Sequence, residues 1–263
     1  MNERQADTGK TIQSIETMIR LLDVIRRRES VGVTELANEV GRSKSTVHHY
    51  LRTLELYDCL EKSDGTYQLG LRFLTYGGQA RFRQRIYQLA KSDVDQLAAE
   101  TGEQVRLVVE RGGHGIAIYQ AEGEHLDYPR SYVGSVDELH CTAAGKAFLA
   151  ALSPDRVAEL LAETELVGYT ENTITDKDVL LEELEQIRSR EVAYDDEERT
   201  EGIRCVAVAI TSRSGELLGA ISVSGPTDRL TDERFRSKIP SQLQNIVGVV
   251  EINTTYSDWA DTV

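Results

Sequence analysis

One segment near the amino terminus carries hydrogen-bond donors and positive charges at helical spacing. Ser43 can act as the N-cap of a helix that follows it. The apolar residues of that helix share one face, because they fall three or four positions apart: Val47, Tyr50, Leu51 and Leu54. The opposite face then presents Ser45, His48, His49 and Arg52.

The chemistry that suits such a face is recognition of duplex DNA. A helix in the major groove has to offer donors to base edges, while basic residues at its start contact phosphates. We expect phosphate contacts from Arg42 and Lys44 and base-edge contacts from the residues after them. The candidate DNA-binding set is Arg42, Ser43, Lys44, Ser45, Thr46, His48, His49 and Arg52. The alternative is that the adjacent histidines are ordinary surface residues.

The helices before this segment complete a helix-turn-helix pattern. A first helix is predicted from the apolar positions Ile12, Ile15, Ile19, Leu22 and Ile25. It ends in three arginines, 26–28, which suit either a helix C-terminus or a DNA contact. A second, short helix is expected to begin after an N-cap at Thr34 and to stop at Gly41.

A hairpin and a charge asymmetry strengthen the DNA-binding interpretation. Asp64-Gly65 separates the alternating segments 59–62 and 66–69, which predicts a β-hairpin in the position of a wing. Residues 1–90 hold 14 Lys and Arg against 11 Asp and Glu, whereas residues 91–263 hold 16 against 33. The 7 lysines beside 23 arginines, in a chain of net charge −14, are typical of a host with high internal salt. An ordinary acidic cytosolic protein is the alternative.

The rest of the chain predicts an α+β domain with an antiparallel sheet. Strands are expected within 104–110, 115–121, 130–136, 204–211 and 217–224, and helices over 143–152, 154–162, 176–188 and 232–251. With a linker helix at 71–90, the predicted domains are 1–70, a winged helix-turn-helix, and 91–263, an effector-binding domain. Three cysteines make no disulfide framework, and no run of about 18 apolar residues occurs, so we expect a cytoplasmic protein without membrane contact.

A second region has the features of an anion site. Residues 143–146 open a helix, whose free amides and dipole favour an anion. The small side chains of Ala143 and Ala144 let a carboxylate approach the backbone. Ser222 and Ser224 alternate on a strand, so their hydroxyls face the same way. The alternative is that these hydroxyls only satisfy nearby backbone groups.

Other chemistry at these residues is disfavoured. Residues 145–146 do not form a phosphate loop, because His140 and Ala147 stand where that motif needs Gly and Ser or Thr. Cys205 is interpreted as a buried structural cysteine, since no histidine accompanies it in its segment. A zinc site built on His140 and Cys141 has no recognised ligand spacing. We therefore predict no catalytic residue, no metal and no cofactor.

Several ordered motifs in both domains resemble the IclR family of transcriptional regulators, over roughly residues 11–252. They are RSKSTV at 42–47, YQLG at 67–70, LHCTAAGKA at 139–147, TIT at 173–175, YDDEE at 194–198, GIRCVA at 202–207 and AISVSGP at 220–226. The helix-turn-helix alone is weakly diagnostic, whereas the ordered set in the second domain is highly specific. Ala209 and Glu191 depart from the family, which often has Pro and Gly there.

This resemblance implies a GAF-like sensor domain that binds a small organic acid. The pocket positions that it implies, with the helix opening included, are Leu126, Pro129, Ala143, Ala144, Asp195, Ile203, Cys205, Ser222 and Ser224. It also implies a homodimer, built through the first helix and the linker helix and often paired into a tetramer.

The sequence thus predicts a DNA-binding transcriptional regulator whose operator affinity is set by a metabolite. Two alternatives remain at this point. One is an enzyme built on the sensor domain, for which the acidic stretch 195–198 is the only candidate, although such stretches are usually solvated loops. The other is a ligand-sensing signalling module whose helix-turn-helix contacts protein.

Overall fold

A computed structural model describes residues 10–125, 132–162 and 164–260, and the chain divides after Ala80 into two compact units. The first unit contains a small sheet, the three helices named next and most of a fourth helix that follows them. Its elements are α1 (Gln13–Arg28), β1 (Val31–Gly32), α2 (Val33–Val40), α3 (Lys44–Leu56), β2 (Leu60–Ser63) and β3 (Thr66–Leu69). The sheet is antiparallel in the order β1-β3-β2. The helices and the wing hairpin therefore match the predicted winged helix-turn-helix.

The first helix buries only part of the predicted apolar set: Ile25 is in the core, whereas the positions near the helix start are exposed. Ile12, Ile15 and Ile19 are 62, 48 and 48 % exposed, whereas Leu21 and Ile25 are fully buried. The helix carries two apolar stripes, and only the one containing Leu21, Val24 and Ile25 packs in the core of this unit. Sequence periodicity finds both stripes without saying which one meets the core.

The predicted cap of the second helix is also wrong. The N-cap is Gly32 rather than Thr34, and no side chain caps this end. The reason is that Val31 and Gly32 form β1, paired with Tyr67 and Thr66, so the chain enters α2 directly from a strand. The predicted stop at Gly41 is confirmed, with φ of 65° in the left-handed region that favours glycine.

The expected linker helix is two helices. α4 spans Arg72–Phe82 and α5 spans Arg85–Thr101, and Gln84 between them is extended at φ −78° and ψ 107°. The core of the second unit buries Ile86, Ala90 and residues further along α5. A boundary at residue 90 therefore falls inside a helix that belongs to the second unit.

The second unit is built on a six-stranded antiparallel sheet in the order β6-β5-β4-β9-β8-β7. Its strands are β4 (Gln104–Arg111), β5 (His114–Ala121), β6 (Val136–Glu138), β7 (Ala193–Asp196), β8 (Ile203–Thr211) and β9 (Leu217–Pro226). Its other helices are α6 (Ala143–Ala151), α7 (Pro154–Ala162), α8 (Lys177–Arg190), a π-helical turn (Arg234–Lys238) and α9 (Ile239–Ala260). The predicted α+β class with an antiparallel sheet is confirmed.

Two boundaries differ from the sequence prediction. The strand expected within 130–136 begins only at Val136, after a turn at 133–134, and residues 130 and 131 lie outside the described ranges. β7 was not predicted, because its residues Ala193–Asp196 read as part of an acidic loop. Within the described ranges, no helix combines the length and hydropathy needed to cross a bilayer.

Hydrophobic clusters cover both faces of this sheet. Leu107, Val206 and Val223 belong to the cluster that includes α5 and α9. Val108, Ala207 and Ala220 belong to the cluster that includes α6 and α8. Because side chains alternate along a strand, the residues that share the parity of the second set point toward α6. That inner face carries the polar residues of the candidate site.

Candidate functional site

The outer face of α3 is a continuous exposed surface. Val47 and Leu51 are fully buried, which fixes the rotation of the helix. The Ser43 Oγ accepts a hydrogen bond from the Thr46 amide at 3.1 Å, so the predicted N-cap is present. All of the candidate DNA-binding residues are exposed: Arg42, Ser43, Lys44, Ser45, Thr46, His48, His49 and Arg52.

The wing turn and the arginines of α1 complete the description of this unit. Asp64 and Gly65 have φ of 49° and 82°, as a two-residue hairpin turn requires. The Arg28 guanidinium lies 2.7 Å from Glu39 and 3.4 Å from Glu35. Arg28 thereby ties α1 to α2, which gives this arginine a structural contact besides its position at the helix end.

In the second unit, strand register brings the predicted pocket residues together. Asp195 pairs with Cys205, and Cys205 pairs with Ser224 on its other side. Ser222 lies two residues from Ser224 on the same face, and Ile203 two residues from Cys205. Leu126 and Pro129 fall outside the described residues.

The start of α6 is held tightly. The Thr142 hydroxyl accepts from the Gly145 amide at 3.1 Å and donates to the Glu138 carbonyl at 3.1 Å. A Cβ at Gly145 would lie 2.3 Å from the Leu139 carbonyl oxygen, so only glycine allows this approach. The cap satisfies the amide of Gly145, whereas the amides of Ala143 and Ala144 have no acceptor within the helix.

A buried charged cluster lies beside this helix, and sequence reasoning missed it. Lys146, only 1 % exposed, forms an ion pair with Glu198. Asp195 is also buried, and its carboxylate accepts from the Glu198 amide at 2.8 Å and the Arg199 amide at 3.2 Å. The acidic stretch is therefore not a solvated loop, because β7 and the turn after it carry Asp195 and Glu198 into the interior. The only sequence signal was a lysine inside an otherwise apolar helix.

Burial changes the protonation of these groups. Desolvation, followed by the charge of Glu198, raises the pKa of Asp195 to about 7. Burial also raises the pKa of the Glu198 carboxyl, against the opposing effect of Lys146. Near neutral pH, Asp195 is thus partly protonated and able to donate a hydrogen bond.

The buried cysteines are not activated. Burial raises the pKa of both Cys141 and Cys205 to about 12, which keeps the thiols protonated. Among the described residues, Glu138, His140 and Cys141 bring one potential metal-ligand atom each within 4.8 Å of one another. The His140 Nε2 lies 2.9 Å from the Val167 carbonyl oxygen and is hydrogen-bonded to it. A metal there would have to displace the proton of a strongly desolvated thiol.

A cavity of about 490 Å³ lies elsewhere in the same unit, toward the carboxyl end of α6. Ala147, Ala151, Arg188 and Glu251 are among the residues that line it. None of the predicted pocket residues lines this cavity.

A winged helix-turn-helix followed by a sheet domain with a polar interior defines a DNA-binding regulator with a ligand-binding domain. Two family models match the chain: the IclR helix-turn-helix domain over residues 14–64 and the bacterial transcriptional regulator IclR C-terminal domain over residues 79–250. The chain belongs to the IclR family of transcriptional regulators. Since this is a non-enzymatic family, the enzyme alternative is excluded.

Curated relatives span most of the chain. A probable HTH-type transcriptional regulator ArcR from Halobacterium salinarum is 31 % identical over 258 residues, covering 96 % of this chain and 98 % of that protein. The transcriptional repressor IclR of Escherichia coli is 34 % identical over 232 residues, covering 86 % of this chain and 84 % of that protein.

Solved structures agree with this assignment. The Thermotoga maritima IclR structure has a TM-score of 0.77 at 30 % identity, covering 92 % of this chain and 99 % of that one. An IclR homolog from Microbacterium hydrocarbonoxydans, complexed with 4-hydroxybenzoate, has a TM-score of 0.75 at 18 % identity, covering 90 % of this chain and 97 % of that one. The second likeness concerns the fold alone.

Proposed function

We propose that this regulator binds a pseudo-palindromic operator through α3 and that a small organic acid, bound between α6 and the sheet, sets its operator affinity. The ligand acts by binding one arrangement of the protein better than another, and its differential affinity limits the size of the switch. The cytoplasm is the proposed compartment.

The exposed face of α3 supports the DNA contacts. Arg42 and Lys44 flank the N-cap, where the amides at the helix start also favour phosphate. Ser45, His48 and His49 are exposed along the helix and carry donors that suit base edges. Operator recognition is therefore assigned to α3, with the wing hairpin as a second contact.

The single observation that carries the effector site is the strand register. It sets Asp195, Cys205 and Ser224 side by side across three strands, on the face that packs against α6. The amides at the start of α6 and the buried Ser222 hydroxyl, which has no hydrogen-bond partner among the described residues, supply donors for a carboxylate. Asp195, with a pKa of about 7, supplies another donor when protonated, so a buried acid is compatible with an anionic ligand.

An exposed apolar surface supports the homodimer. Ile12, Ile15 and Ile19 form a stripe on α1 that the core of the first unit leaves uncovered. α4 likewise exposes Leu74 and Phe82. Contiguous exposed apolar residues of this kind mark an interface, and a two-fold dimer would match a two-fold operator. Analytical ultracentrifugation of Ile15→Glu and Ile19→Glu should show monomers, whereas unchanged dimers would contradict this interface.

Fluorescence anisotropy with the chain's own upstream DNA tests the first half of the proposal. Binding should be specific and should weaken with salt. Arg42→Ala and Lys44→Ala should each weaken it for all sequences and lower the salt slope by roughly 0.9 per lost phosphate contact. Arg213→Ala, an exposed arginine of the second unit, is the matched control. Salt-insensitive or absent binding would count for the signalling-module alternative.

A thermal-shift screen of organic acids tests the second half. An active acid should raise the melting temperature of the native chain and change operator binding. Ser222→Ala and Cys205→Leu should diminish that shift, while Ser214→Ala, in an exposed turn, should leave it unchanged. If only uncharged compounds act, or both pocket variants respond like the native chain, the assigned site is wrong.

A further inference from the structure

Two arginines lie at the edge of the candidate effector site and share one carboxylate. The Arg106 Nη1 is 3.2 Å from one oxygen of Asp137, and the Arg199 Nε is 3.8 Å from the other. The first distance is a hydrogen bond, whereas the second is an ion pair without one. One negative charge therefore faces two positive charges.

Arg106 belongs to the inner face of the sheet. It stands directly opposite Ser222 in the pairing of β4 with β9, and its side chain is only 12 % exposed. Residues paired in this way have their Cβ atoms about 5 Å apart. The Arg106 Nε is buried and has no acceptor among the described residues. A buried guanidinium N–H without an acceptor is costly, and an anion beside Ser222 would satisfy it.

Arg199 approaches the same place from the turn after β7. Its guanidinium carbon lies 4.1 Å from the centre of the Tyr169 ring, which orients the planar group. Its side chain is 36 % exposed, yet its Nε is buried and has no hydrogen-bond acceptor within the described part of the chain. Arg199 is therefore held in place with a donor still to satisfy.

The other charged groups near the two arginines have partners of their own. Lys146 and Glu198 neutralise each other. Glu138 lies 3.8 Å from the His140 Nδ1 and makes no ion pair with either arginine among the described residues. Among the described residues, Asp137 is the one carboxylate within ion-pair distance of both guanidinium groups.

We propose that Arg106 and Arg199 form a second anion subsite and that the effector is a dicarboxylic acid. One carboxylate binds the amides at the start of α6, and the other binds the arginines, whose planar forks match a carboxylate in two-point contacts. This inference rests on the effector site proposed above.

Calorimetric titration of the full chain tests the second subsite by comparing monoacids and diacids of equal length. The pairs are propionate against malonate, butyrate against succinate, and valerate against glutarate. The best diacid should bind about tenfold more tightly than its monoacid. Arg106→Gln should reduce diacid affinity more than monoacid affinity and so remove that preference, with Arg106→Lys in between because a lysine keeps the charge but loses the fork. Arg213→Gln is the control in an exposed turn.

Asp137→Asn provides a gain-of-function test that a misfolded variant cannot imitate. Because it removes the carboxylate that both arginines share, it should tighten diacid binding several-fold and leave monoacid binding unchanged. Equal affinity for monoacids and diacids, parallel loss of both in Arg106→Gln, or weaker diacid binding in Asp137→Asn would each overturn the second subsite. If the acids bind but Ser222→Ala has no effect, the effector site itself is misplaced, which is a separate failure.

Discussion

Replacement of Asp195 by Asn should change how the stability of the second unit depends on pH. The pKa of this carboxyl rises from 3.8 to about 7 on folding, mainly because of burial. The folded protein therefore retains a proton that the unfolded chain releases. Stability is fully present below the unfolded pKa and is lost as pH rises through the folded one. Asn keeps an oxygen for the Glu198 and Arg199 amides and cannot ionise.

The size of the effect follows from the shift. About three pKa units correspond to about 4 kcal/mol, of which about 3 kcal/mol falls between about pH 5 and about pH 8. The free energy of unfolding of Asp195→Asn minus that of the native chain should increase by this amount over the range. Taking the difference cancels every other titrating group that the substitution leaves undisturbed.

Urea denaturation at constant salt, repeated across the pH range, measures this difference. Far-UV circular dichroism follows the unfolding, because α5, α6, α8 and α9 of the second unit contribute to the signal. Asp155→Asn, at an exposed position of α7, should give a curve parallel to that of the native chain. A difference between Asp195→Asn and the native chain that stays flat with pH would refute the buried, protonated carboxyl.

Three further substitutions test the packing of the two sites. Lys146→Met should lower the free energy of unfolding in urea by about 3–5 kcal/mol, because it leaves the Glu198 carboxylate buried without a partner. The double variant with Glu198→Leu should recover much of this loss. Equal stability of the single and double variants would contradict the ion pair. Gly145→Ala should abolish the effector-induced thermal shift but leave DNA binding intact, because its Cβ would collide with the Leu139 carbonyl; an unchanged shift would show that the helix start is not part of the site. Ser43→Ala should cost about 1 kcal/mol in the first unit, as measured by denaturation against Ser45→Ala, which leaves the cap in place. It should also weaken operator binding in the anisotropy assay.

Local residue spacing was sufficient to predict those elements whose sequence signals lie within a few residues of one another. The Ser43 cap, the buried Val47 and Leu51, and the turn at Asp64-Gly65 were all predicted and are all present. The reason is that a cap or a tight turn is satisfied by its own neighbours in the chain. The face shared by Ser222 and Ser224 follows in the same way from the two-residue period of a strand.

Tertiary packing decided which surfaces and charges are buried. Sequence periodicity could not tell that Leu21 rather than Ile15 of α1 enters the core, because both stripes repeat at helical spacing. Nor could it show that Lys146 meets Glu198, since that pair exists only after β7 packs beneath α6.

The sequence by itself therefore predicted two candidate functional regions: a helix with an exposed basic start and a strand with two serines on one face. Only the tertiary structure placed Arg106 opposite Ser222, because strand register joins residues that no local pattern connects. Local patterns record the short-range geometry of helices, turns and strands, whereas the electrostatics of a buried site depend on which distant segments the fold brings into contact.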